Sequence, residues 1–333
     1  MNREQQERAE IEHAAEVLPP VPCPGPAPER VRVRRHHLLN EIDAQREVKG
    51  FGLVLRPRRR MAVMLATVTA AGVAVAALGG LDFSTGDDQD APSASVASVR
   101  LLEKAALAAG AKALPKVTPR GFTYVKIVGH TTVLSENEDS RTERLRESED
   151  MEQWMSVDGS KRTLERKNGK DTLLPGVPGK GNLNAPTYEF LAALPTDPQA
   201  LIERIYQETE SSHGAGSDST TGPDQEAFVT IGDLLRGSVA PPETAAALYR
   251  AAALIPGVVT VPEAVDAAGR HGVAVAREHD GERTEWIFDK STMRLLGERT
   301  VLVKDNAWGK AGSVVTSLAL VKNGVVSEAG RSL

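Results

Sequence analysis

The residues that could bind a metal or act as nucleophiles are few and scattered. Cysteine occurs once, at Cys23, and two adjacent histidines, His36 and His37, follow it. A structural zinc site needs about four ligands at short spacing. Adjacent residues on a helix point in different directions, so these three residues do not predict a metal site. We also expect Cys23 to be an unremarkable thiol rather than a reactive one.

Other candidate motifs are equally incomplete. The segment GVPGKG at 176–181 matches part of a phosphate-binding loop, but no Ser or Thr follows Lys180 and no predicted strand precedes it. The chain has no Gly-x-Ser-x-Gly motif. The acidic run Glu278–Glu282 could hold a cation, although a solvated hairpin tip is the preferred interpretation. We therefore predict no enzyme activity, no cofactor and no metal.

Charge is distributed unevenly along the 333 residues, whose net charge is −5. Residues 29–60 contain ten Lys and Arg against four Asp and Glu, whereas residues 82–333 contain 28 against 36. Residues 61–81 contain no charged residue. This division suits two aqueous compartments separated by a bilayer.

The uncharged segment Met61–Leu81 is long enough to be a transmembrane helix. At about 1.5 Å per residue its 21 residues span roughly 30 Å, the thickness of a hydrocarbon core. A buried core helix would show a polar face, and this segment offers only Thr67 and Thr69. A cleaved signal peptide would have a short basic region before it, whereas 60 residues precede this segment.

The flanking charges predict the orientation. Lys and Arg are retained on the cytoplasmic side of a membrane span, and acidic residues follow this segment. We therefore expect a plasma-membrane protein with its N-terminus in the cytoplasm. The arginines are expected to contact lipid phosphates rather than nucleic acid. The topology-determining residues are Arg56, Arg58, Arg59 and Arg60.

The domain organisation follows from these boundaries. Residues 1–60 form the predicted cytoplasmic tail, with a proline-rich linker at 19–28 and a basic amphipathic helix at 29–49. Residues 61–81 form the membrane helix, residues 82–95 an acidic tether, and residues 96–333 an extracytoplasmic domain. No disulfide can stabilise that domain, because no cysteine follows residue 23.

Sequence periodicity predicts an α+β fold for residues 96–333. A helix is expected over 96–113 with Val99, Leu102, Ala106 and Leu107 buried. The predicted order is strands, a helical insert and then an antiparallel meander, with hairpin turns at Asp158-Gly159, Asp280-Gly281 and Asp289–Thr292 and a helix cap at Thr196-Asp197-Pro198. The expected strands are 121–128, 144–157, 161–167, 257–265, 272–277, 283–289, 295–304 and 313–321; the helical segments are 187–194, 198–210, 224–239 and 243–254; and irregular loops are expected at 174–186 and 211–223.

Seven segments of this domain carry a family pattern: Phe190–Pro198, Phe228–Arg236, Pro241–Pro242, Ala246–Val258, Asp266–Val275, Ile287–Asp289 and Leu295–Thr300. Together they resemble a family of uncharacterised actinobacterial single-pass membrane proteins, which are often encoded beside extracytoplasmic-function sigma factors. The order of elements is also similar to lipoprotein-carrier and sigma-regulator sensor domains, in which a curved antiparallel sheet surrounds an apolar cavity.

The resemblance implies location and partners rather than a reaction. It implies an exported domain that binds a lipid, peptide or protein and a tail that relays this state to a cytoplasmic regulator such as a sigma factor. The tail lacks the His-x-x-x-Cys-x-x-Cys signature of zinc-type anti-sigma domains. The alternative is a structural or assembly protein of the cell envelope with an inert tail. An apolar cavity in the domain would favour ligand sensing, and a filled core would favour a scaffold.

Overall fold

The computed structural model describes residues 92–113, 117–136, 142–177, 181–212 and 222–333. These residues form an α+β fold with one large antiparallel sheet and several helices, so the predicted fold class is confirmed at this level. The helices fall mainly between two groups of strands, in the predicted order.

The strands of the described residues are β1 Phe122–Glu136, β2 Thr142–Ser156, β3 Thr163–Lys167, β4 Lys170–Leu174, β5 Gly181–Asn182, β6 Ala185–Pro186, β7 Val259–Val265, β8 His271–His279, β9 Glu282–Phe288, β10 Leu295–Leu302 and β11 Val314–Val326. Nine of them form the large sheet in the order β4-β3-β2-β1-β11-β10-β9-β8-β7. The strands β1–β4 and β7–β11 each form a meander, and β1 joins the two by pairing with β11, the central strand. β5 and β6 form a separate two-residue ladder.

Side-chain caps set the starts of several helices. Ser95 accepts a hydrogen bond from the Ser98 backbone N–H, and Thr187 accepts one from Phe190. Asp197, which the sequence predicted as a cap, accepts one from Ala200. The helices are α1 Val96–Gly110, α2 Tyr188–Ala192, α3 Pro198–Ser212, α4 Pro223–Gly237 and α5 Pro242–Ala252.

The main core lies between the helices and the strands β8 and β9. Its sheet side is formed by Val275, Trp286 and Phe288, and its helix side includes Phe228 and Leu248. The Phe228 and Trp286 rings are stacked, with centroids 4.0 Å apart and planes at 7°. Side chains therefore fill the space between the helices and this half of the sheet. A filled core is the feature expected of a scaffold, whereas an apolar cavity is the one expected of a ligand sensor.

The predicted helix at 96–113 exists, but its buried face differs from the prediction. Leu102 and Ala106 are buried as expected, whereas Val99 is 40% exposed and Leu107 is 60% exposed. The buried face includes Ser98, whose hydroxyl donates to the Val258 carbonyl at 2.8 Å. Because the polar residue Ser98 lies at the centre of the buried face, the hydrophobic residues alone predicted a buried face that is rotated about the helix axis.

Strand β1 is longer than predicted, and β4 was missed. The prediction ended the first strand at Val128, but β1 continues through Gly129 to Glu136. Residues 168–169, an Asn-Gly pair with φ of 50° and 77°, turn the chain from β3 into β4. Leu174 thus ends a strand, and residues 181–186 form a small ladder within the region predicted as irregular.

Both predicted aspartate–glycine hairpins are confirmed. Gly159 has φ 73° between β2 and β3, and Asp280 and Gly281 have φ of 48° and 78° between β8 and β9. The turn at Asp289 is also confirmed, since its carboxylate accepts bonds from the backbone and side chain of Ser291 and Thr292.

Within the described ranges, no helix has the length and hydropathy needed to cross a bilayer. The predicted membrane segment 61–81, the tail 1–60 and the tether as far as residue 91 lie outside those ranges. The same is true of residues 213–221 in the predicted loop before α4.

Candidate functional site

Four threonines stand in register across the middle of the sheet. Thr131 of β1 pairs with Thr316 of β11, Thr316 with Thr300 of β10, and Thr300 with Thr284 of β9. Residues paired directly across antiparallel strands point to the same face, and neighbouring strands are about 4.8 Å apart. These four residues, here called the threonine row, therefore present a line of hydroxyl groups roughly 14 Å long.

The threonine row lies on the face of the sheet that also carries the main core. Two residues further along β9 is Trp286, which packs against the helices, and it is in register with Glu298 and Leu318. Thr284 is buried, whereas Thr131, Thr300 and Thr316 are half-buried. The row therefore marks the place where the apolar core gives way to a polar surface.

A buried polar network adjoins the Thr284 end of the row. Arg277 of β8 pairs with Thr284 in the ladder, and its side chain is 2% exposed. Its guanidinium donates to the Gln225 side-chain oxygen and to the Pro256 carbonyl, both at 3.0 Å, and lies 3.7 Å from Asp224. Gln225 contacts Thr284 at 3.4 Å. The start of α4 thus supports this end of the row.

Acidic residues adjoin the other end. Glu147 of β2 is in register with Thr131, and Glu149 lies two residues further along the strand. Glu149 is 3% exposed and forms an ion pair with Lys167 at 2.6 Å. A ligand lying along the row would therefore meet the half-buried Glu147 at one end, whereas Arg277 and Glu149 are buried and already paired.

A close contact between α4 and β9 shapes the neighbouring row. Gly232 of α4 faces the Trp286 indole so closely that a Cβ atom at 232 would lie 2.5 Å from Nε1. At the same helix end, Arg236 pairs with Asp233 at 2.6 Å and lies 3.8 Å from Glu298. Glycine at 232 therefore allows the helix to approach the sheet next to the threonine row.

The β8–β9 hairpin tip is less solvated than predicted. Burial, reinforced by the nearby Asp280 charge, raises the pKa of Glu282 to about 7. Burial also raises the pKa of Glu278. The Gly281 carbonyl accepts hydrogen bonds from the backbone N–H groups of Val303 and Lys304, so the chain at 303–304 covers the tip of the hairpin. No group of acidic, His or Cys residues suited to a metal ion occurs among the described residues, so the cation interpretation gains no support.

The opposite face of the sheet carries its own charge cluster. Glu285 is fully buried and accepts hydrogen bonds from Arg283 at 2.8 Å and Arg299 at 2.7 Å. In the same row, His130 is bonded to Arg146, and burial together with that charge lowers its pKa. These groups satisfy one another, which indicates a structural role.

An open cleft of about 470 Å³ lies between α1 and α5. Its lining includes the small residues Ala106, Gly110 and Ala246 together with Leu107 and Arg250. Arg250 is held there by a bidentate ion pair with Glu103, at 2.8 and 3.0 Å.

Most residues singled out in the sequence lie elsewhere or outside the described ranges. His271 is exposed and pairs with Glu263 at 2.9 Å, and His279 lies 3.2 Å from Asp280. They lie at opposite ends of β8, His271 exposed and His279 half-buried. The candidates outside the described residues are Cys23, His36, His37, Lys180 and the arginines 56, 58, 59 and 60.

The threonine row was not predicted from the sequence. Each strand contributes a single threonine, and the four come together only through the register of strands far apart in the chain. Alternation within each strand indicates which residues share a face, but it does not indicate which residue stands opposite on the next strand.

Comparison with known protein families finds no match to this chain, and comparison with curated proteins finds none either.

Proposed function

We propose that this chain is a non-enzymatic, single-pass membrane protein of the cell envelope whose extracytoplasmic domain binds a peptide segment of a partner. The membrane helix is 61–81, the cytoplasmic tail is 1–60, and the binding domain is 96–333. The resemblance to actinobacterial membrane proteins encoded beside sigma factors supports this proposal.

The threonine row is the observation that carries the binding proposal. A hydroxyl group both donates and accepts hydrogen bonds, so the three half-buried hydroxyls of Thr131, Thr300 and Thr316 suit the alternating N–H and C=O groups of an extended chain. Glu147 in the same row adds a negative charge at the Thr131 end. The filled interior beneath the helices argues against a lipid buried there.

The sheet edges are poor alternatives for peptide binding. The edge strand β7 contains Pro262, which cannot donate a backbone hydrogen bond, and its register is interrupted between Val261 and Ala264. The other edge, β4, is only five residues long and mostly exposed. Strand addition is therefore disfavoured at both edges, and the face of the sheet is the better surface.

A display experiment tests the peptide proposal. The purified full-length chain is used to select binders from a library of random twelve-residue peptides, and the affinity of a selected peptide is then measured. Replacing two hydroxyls in the variant Thr300→Val/Thr316→Val removes two hydrogen bonds with little change of shape. We expect the peptide to bind about tenfold more weakly.

The matched control is Thr172→Val on the exposed edge strand β4, which should leave the affinity unchanged. Peptides whose affinity is the same for the double variant and the wild type would refute binding at the threonine row.

Cys23 offers a direct test of the membrane topology, because it is the only native thiol. A second thiol is introduced with Lys170→Cys at the exposed β3–β4 turn, alone and combined with Cys23→Ser. In intact cells a membrane-impermeant maleimide should label the variant residue at 170 and spare Cys23. Labelling of Cys23 before permeabilisation, or none at 170, would refute the orientation.

We further propose that the tail relays the bound state to a cytoplasmic sigma factor. Its basic composition and its position before the span support this role. Affinity purification of the full-length chain from its own cells should recover a sigma factor, and deletion of residues 1–50 should abolish the recovery. Failure to recover one, with unchanged transcription after the deletion, would instead favour a structural envelope protein with an inert tail, which the filled core also favours.

A further inference from the structure

The side of α1 that faces away from the core has an unusual composition. The buried residues include Ser98, Leu101 and Ala105, so the opposite side is the exposed one. Four residues at spacings of four, three and four occupy that side, here called the outer stripe, because such spacings return to the same side of an α-helix. They are Val96, Arg100, Glu103 and Leu107.

The outer stripe is rich in exposed aliphatic side chains. Val96 is 67% exposed and Leu107 is 60% exposed. The flanking Val99 and the nearby Leu254, just after α5, are 40% and 47% exposed. Four of the nine exposed large hydrophobic residues in the described part of the chain thus belong to the surface of the α1–α5 pair. Such clustering is typical of an interaction surface.

The order of residues in the outer stripe is complementary to itself. Read along the helix it is aliphatic, basic, acidic, aliphatic. If a second copy of α1 lies antiparallel about a two-fold axis, Val96 meets Leu107 of that copy and Arg100 meets Glu103 of that copy. Each contact then occurs twice, as two-fold symmetry requires.

We propose that the outer stripe of α1 is the interface of a homodimer of this chain. A stripe with one basic and one acidic residue does not favour an anionic membrane surface, which would select basic residues. Because the Glu103 carboxylate is already held by Arg250, it is positioned to receive a second guanidinium. This pairing fixes the register of the two helices.

The cleft between α1 and α5 provides a second, independent argument. Its lining includes Leu107 together with alanine and glycine residues. In the antiparallel arrangement, Val96 of the second copy reaches Leu107 and therefore the mouth of the cleft. An aliphatic side chain there would fill part of the cleft, which is open in the single chain.

Charge reversal tests the interface. The molar mass of the full-length chain in detergent is measured by light scattering over a range of protein concentrations. Arg100→Glu places like charges opposite each other and should raise the dimer dissociation constant about tenfold or more. Leu107→Glu should do the same. The paired variant Arg100→Glu/Glu103→Arg exchanges the two charges and should recover part of the lost affinity, although it also breaks the ion pair between Glu103 and Arg250.

Lys170→Glu, an equal charge change at the exposed β3–β4 turn, is the matched control and should leave the dimer intact. Circular dichroism identifies any variant that fails to fold. A wild-type chain that is monomeric at every concentration would overturn the proposal. So would a dimer that Arg100→Glu and Leu107→Glu do not weaken, which would assign association to another segment such as 61–81. Neither outcome depends on peptide binding or on the maleimide labelling.

Discussion

Two neighbouring rows on one face of the sheet differ sharply in chemistry. The row through Trp286 and Leu318 packs under the helices, whereas the threonine row, about 7 Å further along the strands, is largely polar and half-exposed. Helix α4 begins beside the second row, where Asp224 and Gln225 contact Arg277. The position of one helix start therefore determines where the core ends and a surface available for binding begins.

The largest expected effect concerns the apolar row. Trp286→Ala removes a fully buried indole that stacks on Phe228, so we expect the free energy of unfolding to fall by about 3–5 kcal/mol. Denaturant unfolding measures this loss. Trp286→Phe retains an aromatic ring and should lose less, and a loss below about 1 kcal/mol for the alanine variant would contradict the core assignment.

The next effect tests the approach of α4 to this row. Gly232→Ala adds a Cβ 2.5 Å from the indole Nε1, and we expect a loss of about 1–3 kcal/mol although alanine is the better helix former. Gly237→Ala, at the end of the same helix with nothing within 4 Å, is the control and should not destabilise the domain. Equal stability of both variants would show that the contact can relax without cost.

A pH effect is expected one row beyond the threonines, at Glu282. Its pKa is raised from 4.5 to about 7, so the folded chain holds a proton that the unfolded chain has released. The stability due to this group is full below about pH 4.5 and is lost as the pH rises to about 7, a change on the order of 1–3 kcal/mol. Glu282→Gln should remove this slope in unfolding measured from pH 4 to 8.

Glu263 provides the opposite case, because hydrogen bonds from Lys290 and His271 lower its pKa. Its small contribution is present at neutral pH and is lost as the pH falls. Glu263→Gln should therefore leave unchanged the dependence of the free energy of unfolding on pH in the neutral range. If the pH profile of Glu282→Gln were identical to that of the wild type, Glu282 would not titrate as described.

The smallest effect on stability is expected in the threonine row itself. Thr300→Val keeps the shape of a half-buried side chain, and we expect the free energy of unfolding to change by no more than about 0.5 kcal/mol. Together with the large loss expected for Trp286→Ala, this result would show that the row through Trp286 stabilises the fold, whereas Thr300 can be replaced with little change in the free energy of unfolding. A loss of several kcal/mol at Thr300 would mean that both rows belong to the core.

Local chemistry explains which elements could be predicted from the sequence. Aspartate–glycine pairs at 158–159 and 280–281 indicated hairpins because those turns need positive φ. The pair Asn168-Gly169 also indicates a hairpin turn, and this turn leads into β4, which the sequence prediction missed. The predicted first strand ended at Val128, yet β1 continues through Gly129, where a glycine is needed because a Cβ atom would lie 2.1 Å from the Ser317 carbonyl oxygen.

The candidate site depended on information that the sequence does not carry locally. Ser98 is buried because its hydroxyl reaches Val258, 160 residues away, and this contact turned Val99 and Leu107 outward. The threonine row likewise depends on the pairing of β1 with β11. Periodicity within one element cannot reveal such contacts between distant elements.

The pairing of β1 with β11 also has a consequence for biosynthesis. The ribosome completes β1 early, but its second neighbour, β11, is the last of the described strands to be made. Until then β1 keeps an unpaired edge, which can pair with other chains. We expect the nascent protein to need protection by a chaperone until its C-terminal strand is released, and shortened chains that end before Val314 to aggregate.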